Sequence, residues 1–134
     1  VIRRSLLSEI SYFGSGSDKY RKMYFNEALR QSEDIELWTR IALSTSWQFE
    51  GIPQALTYYR VNDSGLSANL EKQFAAWQQA VSLNQAKAPS FFKQYYQLAK
   101  AYQLRYMARR AVQSVSRFDG MKFIFKAICV ILEL

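Results

Sequence analysis

The spacing of apolar residues along the chain predicts a mostly helical protein. Leu70, Phe74, Trp77 and Val81 follow one another at intervals of four, three and four residues, which is the period of an amphipathic helix. The pattern continues through residues 91–118, where the apolar residues form two stripes instead of one. We therefore expect two helices here, the later one with a wide face that needs a covering layer.

Proline and glycine mark the expected breaks between helical segments. Pro89 cannot continue a helix, so the first of these helices should end before it, and Ser90 is expected to cap the next one. The pair Asp119 and Gly120 is expected to end the long helix. Residues 121–134 are then predicted to form a final apolar helix or strand.

The first half of the chain mixes helical and extended patterns. Helices are predicted at residues 5–12 and 34–44, and in the second of these the apolar side chains share one face. Two short strands or a hairpin are predicted at residues 47–50 and 55–61, which are rich in β-favouring residues. The expected fold class is α+β and mostly α-helical, with a small β hairpin or strand element near 47–61 followed by a helical C-terminal extension.

Composition and charge restrict the class of protein further. A chain of 134 residues that is 49% hydrophobic and 16% aromatic can bury a real core and does not have a disordered profile. Residues 1–68 contain 8 basic and 8 acidic residues, whereas residues 69–134 contain 10 basic and 3 acidic ones, which accounts for the net charge of +7. This asymmetry favours an anionic partner such as a membrane surface, a phosphorylated lipid or nucleic acid. A solvated basic face on a helical domain would have the same composition.

Histidine and cysteine usage excludes several kinds of site within this chain. There is no histidine, so a Ser-His-Asp triad or a histidine-based zinc site is ruled out. The single cysteine, Cys129, excludes an intrachain disulfide and is compatible with a reducing compartment such as the cytoplasm.

Three short segments in the first half occur in an order and spacing that resemble a known family. They read FNEAL at residues 25–29, SEDIELWTR at 32–40 and IPQALTYYR at 52–60. Together they resemble the acceptor-side segment of inverting family 2 glycosyltransferases, which have the A-type glycosyltransferase fold. The resemblance implies that residues 1–68 are the C-terminal segment of a catalytic domain and residues 69–134 its helical C-terminal extension. The nucleotide-binding βαβ half and the Asp-x-Asp metal motif of that family would then precede the chain.

The resemblance implies a catalytic role for the acidic residues that begin the 34–44 helix. Asp34 would be the general base that accepts a proton from the attacking acceptor hydroxyl, with Glu33 beside it near the acceptor. The same residues suit a structural role in which Ser32 caps the helix and the acids complement its macrodipole. The acidic cluster alone favours the structural role, and the matching segments on either side favour the catalytic one.

Three further residues are implied in substrate binding: Trp38, Arg40 and Arg60. Trp38 follows Asp34 by one helical turn and would form a wall of the acceptor site, or alternatively belong to the core. Arg40 follows Glu36 by four residues, and the two are expected to make a weak surface contact. Arg60 would lie close to the donor diphosphate or the active-site floor, or else form a structural salt bridge.

No metal ligand is predicted within the chain. Many relatives have a histidine two positions after the arginine that matches Arg60, and this chain has Asn62 there. We expect no cofactor in this fragment, and a divalent metal, Mg²⁺ or Mn²⁺, in the full-length enzyme.

A cluster of arginines in the second half is the candidate for contact with an anionic surface. Arg105, Arg109 and Arg110 alternate with aromatic residues such as Tyr102 and Tyr106. Basic residues beside aromatic rings suit lipid headgroups, and they also suit nucleic acid, although no specific nucleic-acid motif is present. Aromatic residues at helical spacing are also typical of a buried core.

The predicted function is that of a fragment of a glycosyltransferase. The full-length enzyme would transfer a sugar from a nucleotide-diphosphate sugar to a hydroxyl acceptor with inversion, as in cell-surface polysaccharide or glycolipid synthesis. The isolated fragment is expected to be inactive. The expected location is cytoplasmic, peripheral at the inner face of the membrane. The alternative is a non-enzymatic basic helical binding module that contacts a membrane surface or nucleic acid.

Overall fold

The computed structural model describes residues 2–58, 69–114 and 117–132. Within these ranges the chain forms five α-helices, one short 3₁₀ turn and a two-stranded antiparallel sheet. In chain order these are α1 (Arg4–Ile10), β1 (Tyr12–Phe13), the 3₁₀ turn (Gly16–Asp18), β2 (Lys22–Met23), α2 (Glu33–Ser44), α3 (Leu70–Gln85), α4 (Pro89–Ser114) and α5 (Arg117–Leu132). The mostly helical α+β class expected from the sequence is confirmed.

The sheet lies in a different part of the chain from the one predicted. Tyr12 pairs with Met23 and Phe13 pairs with Lys22 across a hairpin. Gly16, in the connection, has a φ of 60°, a left-handed conformation that glycine adopts without steric cost. The glycine-rich turn therefore closes a hairpin that periodicity did not reveal, because its strands have only two residues each.

The strands predicted at 47–50 and 55–61 are wrong as far as the structure describes them. Residues 47–58 form no strand, and most of their side chains are exposed. Within the described ranges no neighbouring strand accepts hydrogen bonds from this segment. β-propensity measures how well a side chain packs on an existing sheet, so it cannot create a strand without a partner. Residues 59–61 lie outside the described residues.

Helices α1 and α2 pack together through one apolar stripe on each. Leu6 and Ile10 of α1 form a buried cluster with Leu37 and Ile41 of α2. Both pairs are spaced four residues apart, so each pair lies on one helix face. The predicted helices at 5–12 and 34–44 are confirmed, although α1 ends at Ile10.

Helix α3 begins with a side-chain cap and packs against α4. The Asn69 Oδ1 atom accepts a hydrogen bond of 2.9 Å from the backbone N–H of Lys72. Trp77 and Val81 are buried against Phe92 of α4. The helix predicted from the spacing of residues 70–81 is confirmed.

A buried asparagine joins α3 to α2. Asn84 is fully buried, and its Nδ2 atom donates to the carbonyl oxygen of Glu36 at 3.1 Å. The two parts expected from the sequence, residues 1–68 and 69–134, therefore share an interior contact. The division between them stays a prediction.

Proline separates α3 from α4 as predicted, but α4 begins earlier than expected. Pro89 is the first residue of α4, and the Phe92 N–H donates to the Ala88 carbonyl oxygen at 3.1 Å. Proline is favoured in the first helical turn because its missing N–H is not needed there. The expectation that Ser90 caps this helix is wrong, since Ser90 already lies inside it.

The expected end of the long helix at Asp119 and Gly120 is also wrong. Helix α4 ends at Ser114, and both residues lie in the first turns of α5. A Cβ atom on Gly120 would lie 2.7 Å from Cγ2 of Val112 in α4. The glycine thus permits close approach of two helices instead of ending one.

Helices α4 and α5 form a helical hairpin with small residues along its seam. The buried seam positions repeat at intervals of three, four and three residues in both helices, which is typical of coiled-coil packing. They are Ala101, Leu104, Ala108 and Ala111 in α4, and Gly120, Phe123, Ala127 and Val130 in α5. None of the helices in the described ranges has the length and hydropathy required to cross a membrane.

Candidate functional site

The candidate base, Asp34, lies exposed in the first turn of α2. Its Oδ1 atom accepts a hydrogen bond of 2.8 Å from the backbone N–H of Ile35. Glu33 beside it is also exposed. Both residues are therefore open to solvent at the rigid end of a packed helix.

Ser32 precedes α2 in an unusual backbone conformation. Its φ and ψ are 61° and 20°, and it is the one non-glycine residue with positive φ among the described residues. Its side chain makes no capping hydrogen bond, so the structural role expected for Ser32 as a side-chain cap is not realised. Left-handed backbone at a non-glycine residue costs free energy and is common at functional sites.

Trp38 lies one turn after Asp34 on the same side of α2. Its side chain is 39% exposed, so it is a surface residue and not a core tryptophan. Trp38 and Phe49 pack edge to face, with their ring centroids 5.9 Å apart. This contact holds the indole beside the segment 47–52.

Trp38 forms part of a large groove, here called the aromatic groove, with a volume of about 930 Å³. The groove runs between α2, the segment 47–52, α3 and α4. Its aromatic lining residues include Trp38, Trp47, Phe49, Trp77, Phe91 and Tyr95. Aromatic faces of this kind bind the apolar faces of sugars or other ring-shaped ligands. Asp34 and Glu33 are not lining residues. Asp34 instead precedes Trp38 by one turn, at the N-terminal end of the helix that borders the groove.

Arg40 lies in the interior and not on the surface. Its exposure is 7%, and its Nε donates to Glu36 Oε1 at 2.9 Å. Its Nη1 donates to the carbonyl oxygen of Ile10 at 2.8 Å, and its Nη2 to that of Tyr24 at 2.6 Å. The expected contact with Glu36 is present, but the expectation that it is a weak surface contact is wrong. All three guanidinium nitrogens donate hydrogen bonds to acceptors within the protein. The geometry therefore gives no support to the predicted role of Arg40 in substrate binding.

A smaller polar cleft of about 390 Å³ lies beside this ion pair, bordered by Tyr12, Glu36, Arg40 and Lys87. Burial raises the pKa of the Tyr12 phenol, and the positive charge of Arg40 partly opposes this. Burial also lowers the pKa of Lys87, and Arg40 adds to that effect as a like charge. This cleft could not be predicted from the sequence, because its lining residues come from segments that are far apart along the chain.

The three arginines predicted to contact an anionic surface do not share one environment. Arg105 and Arg109 are exposed on α4. Arg110 is buried, with 8% exposure, so its expected place on that surface is wrong. Adjacent residues lie 100° apart around a helix, and this rotation turns Arg110 toward the interior. The remaining predicted residue, Arg60, lies outside the described residues.

Metal ligands were not expected in this chain. Across the described residues there is no group of three or more histidine, cysteine, aspartate or glutamate side chains close enough to hold a metal ion.

Comparison of the chain with models of known protein families, with curated proteins and with solved structures gives no match. The resemblance to family 2 glycosyltransferases therefore depends on the three sequence segments alone, and the function below is argued from them together with the geometry of α2.

Proposed function

We propose that the chain is the acceptor-side part of an inverting glycosyltransferase in which Asp34 is the general base. The enzyme would transfer a sugar from a nucleotide-diphosphate sugar to a hydroxyl acceptor. The donor site and the divalent cation, Mg²⁺ or Mn²⁺, would be held by parts of the protein beyond these residues.

One observation supports this proposal above the others. An exposed carboxylate, Asp34, begins the helix whose next turn presents Trp38 to the aromatic groove. A carboxylate one helical turn before an aromatic residue of the groove supports the proposal, because transfer to a sugar acceptor needs a base close to the acceptor ring. The left-handed backbone of Ser32 adds support, because strain of this kind is kept where local geometry matters.

The chemistry requires only one protein base. The acceptor hydroxyl attacks the anomeric carbon from the face opposite the nucleotide, and a new glycosidic bond forms as the bond to the nucleotide diphosphate breaks. Asp34 accepts the hydroxyl proton as the oxygen gains positive charge. No covalent bond to the enzyme is formed, so the anomeric configuration inverts. Stacking of the acceptor ring on Trp38 would orient the attacking oxygen toward Asp34.

Arg40 contributes to this mechanism as a positioning residue. Its guanidinium ties α2 to the end of α1 through Ile10 and to the residue after β2, Tyr24. These bonds fix the helix from which Asp34 and Trp38 project. A base held on a rigid helix needs little reorganisation when the reaction occurs.

The deciding experiment measures sugar transfer by the full-length protein with Asp34→Asn. We expect kcat to fall by about 100- to 10,000-fold, with donor binding and the circular-dichroism spectrum unchanged. The matched control is Asp119→Asn, which removes a half-exposed carboxylate from the first turn of a different helix, α5. Near-normal turnover by Asp34→Asn, or an equal loss in both variants, would refute the assignment.

A second candidate is a non-enzymatic binding module, and one observation favours it. Helix α4 contains no acidic residue and exposes aromatic and basic side chains together. Such a helix would contact an anionic membrane surface, which fits the predicted location at the cytoplasmic face of the membrane. The same membrane contact is compatible with the enzymatic proposal.

A further inference from the structure

The outer side of α5 is almost entirely apolar. Its seam residues, such as Phe123 and Ala127, are buried against α4, while Met121, Phe125 and Leu132 are 67%, 69% and 80% exposed. The exposed apolar residues of this helix are Phe118, Met121, Ile124, Phe125, Ile128, Ile131 and Leu132. An apolar helix side of this extent is typical of a contact surface and not of a helix that faces water.

The outer side of α4 combines aromatic rings with positive charge. Its exposed stripe consists of Phe91, Tyr95, Leu98, Tyr102 and Tyr106, of which Phe91 and Tyr95 also line the aromatic groove. Arg105 and Arg109 are exposed beside this stripe. Residues 89–114 include five basic and no acidic residues. An anionic partner would therefore meet no opposing carboxylate anywhere along this helix.

Contacts with α3 define which side of the hairpin remains open. Lys126 of α5 forms an ion pair with Glu71 of α3, and Tyr96 of α4 stacks near Trp77 of α3. Each residue adds 100° around a helix, so residues two or nine positions from Lys126 or from Tyr96 lie on the side of the helix that faces away from α3. For α5 those include Ile124 and Ile128, and for α4 they include Leu98 and Arg105.

The two helices thus expose one shared surface on the side away from α3. We name it the hairpin face, and its residues are Leu98, Tyr102, Arg105, Arg109, Ile124, Ile128 and Ile131. The two carboxylates that pair with lysines of α5 lie outside the hairpin face. Glu71, which pairs with Lys126, belongs to α3, and Asp119, which pairs with Lys122, lies on the same side of α5 as Lys126.

We propose that the hairpin face binds an anionic lipid surface. Aliphatic side chains of α5 would enter the boundary between headgroups and acyl chains, tyrosine rings of α4 would lie at the headgroup level, and Arg105 and Arg109 would contact lipid phosphates. The isoleucines favour lipid over single-stranded nucleic acid, because bases stack on aromatic rings and not on aliphatic side chains. This inference does not depend on Asp34 or on glycosyl transfer.

Co-sedimentation with vesicles tests the proposal on the chain itself. Vesicles of phosphatidylcholine containing about 30% phosphatidylserine should bind the protein more strongly than pure phosphatidylcholine vesicles, and high salt should weaken the binding. Arg105→Gln with Arg109→Gln should lower the partition coefficient by about fivefold for each arginine removed. The matched control is Lys19→Gln with Lys22→Gln, which lowers the net charge equally at exposed positions near the β hairpin.

A second pair of variants tests the apolar contribution. Ile128→Ser on the hairpin face should weaken binding to the anionic vesicles, whereas Leu56→Ser, at an exposed position in the segment 47–58, should not. Both variants should keep the helical circular-dichroism spectrum of the parent.

Four outcomes would overturn the proposal. They are equal binding to neutral and anionic vesicles, equal losses in the two charge variants, binding to a single-stranded oligonucleotide but not to vesicles, and a stable dimer whose formation Ile128→Ser abolishes. The last outcome would mean that a second copy of the chain covers the hairpin face.

Discussion

Removing Arg40 should destabilise the protein far more than removing an arginine from its surface. Arg40 and Glu36 are 7% and 4% exposed, and their nearest charged atoms are 2.9 Å apart. Arg40→Ala would leave the Glu36 carboxylate buried without its cation. It would also remove the hydrogen-bond donors that serve the carbonyl oxygens of Ile10 and Tyr24.

The size of the effect follows from this burial. Deleting one partner of a buried ion pair typically costs about 3–5 kcal/mol, against a total stability of about 5–15 kcal/mol for a domain. We therefore expect Arg40→Ala to lose about 3–5 kcal/mol and to lie close to the limit of folding. Arg40→Lys keeps the charge but has one nitrogen in place of a planar fork, so it should lose about 2 kcal/mol through missing hydrogen bonds.

Urea unfolding followed by circular dichroism measures these losses, with a surface ion pair as the control. Arg21 and Glu27 are 2.6 Å apart, but their side chains are 56% and 53% exposed. Arg21→Ala should cost no more than about 1 kcal/mol, because water solvates both charges. Similar losses for Arg40→Ala and Arg21→Ala, or a loss under about 1 kcal/mol for Arg40→Ala, would refute the reasoning.

Three further predictions test other parts of the structure. Gly120→Ala should raise the free energy of unfolding by less than the usual helix-propensity benefit of about 1 kcal/mol, because the new methyl group would lie 2.7 Å from Val112. In a double-mutant cycle measured by urea unfolding, Val112→Ala should restore the full benefit by removing this contact. The stability advantage of the parent over Tyr12→Phe should be complete below pH 10.0 and should shrink as the pH rises further, because burial raises the pKa of the phenol in the folded state. Urea unfolding of both proteins at about pH 9 and about pH 11 measures this advantage, and a pH-independent difference would contradict the prediction. Titration of the isolated chain with nucleotide-diphosphate sugars and Mn²⁺ should give no complex tighter than about millimolar. Acceptor glycosides should change the fluorescence of the parent more than that of Trp38→Phe, in which Trp47 and Trp77 still line the groove. A micromolar, metal-dependent donor complex would contradict the proposed division of the enzyme.

Periodicity predicted the helices well because each buries a stripe that its own sequence specifies. The spacing of Leu37 and Ile41 and that of Trp77 and Val81 translate directly into the faces that α2 and α3 bury. Gly120 was misinterpreted because its role is not local. Glycine lowers helix propensity along its own chain, but here the missing side chain makes room for Val112 in another helix.

The candidate site was only partly predictable for a similar reason. Asp34 and Trp38 are four residues apart on one helix, so their common side could be inferred from the sequence. The aromatic groove could not be inferred, because Trp77 and Tyr95 reach it from α3 and α4. Burial of Arg40 was also unpredictable, since the carbonyl oxygens that bind it belong to Ile10 and to Tyr24, far away along the chain.

Helix α2 separates the residues that fix it in place from the residues that we propose to act in catalysis. On its inner side, Arg40 and Glu36 fix the helix to α1 and to the end of the β hairpin. At its N-terminal end Asp34 is exposed, and in the next turn Trp38 is exposed at the edge of the aromatic groove. If the catalytic proposal is correct, Asp34→Asn should lower kcat by about 100- to 10,000-fold without a loss of stability. Arg40→Lys should instead lower stability first and reduce transfer only as far as Asp34 becomes misplaced. A structural role for the acidic turn would instead make Asp34→Asn destabilising and leave transfer per folded molecule unchanged.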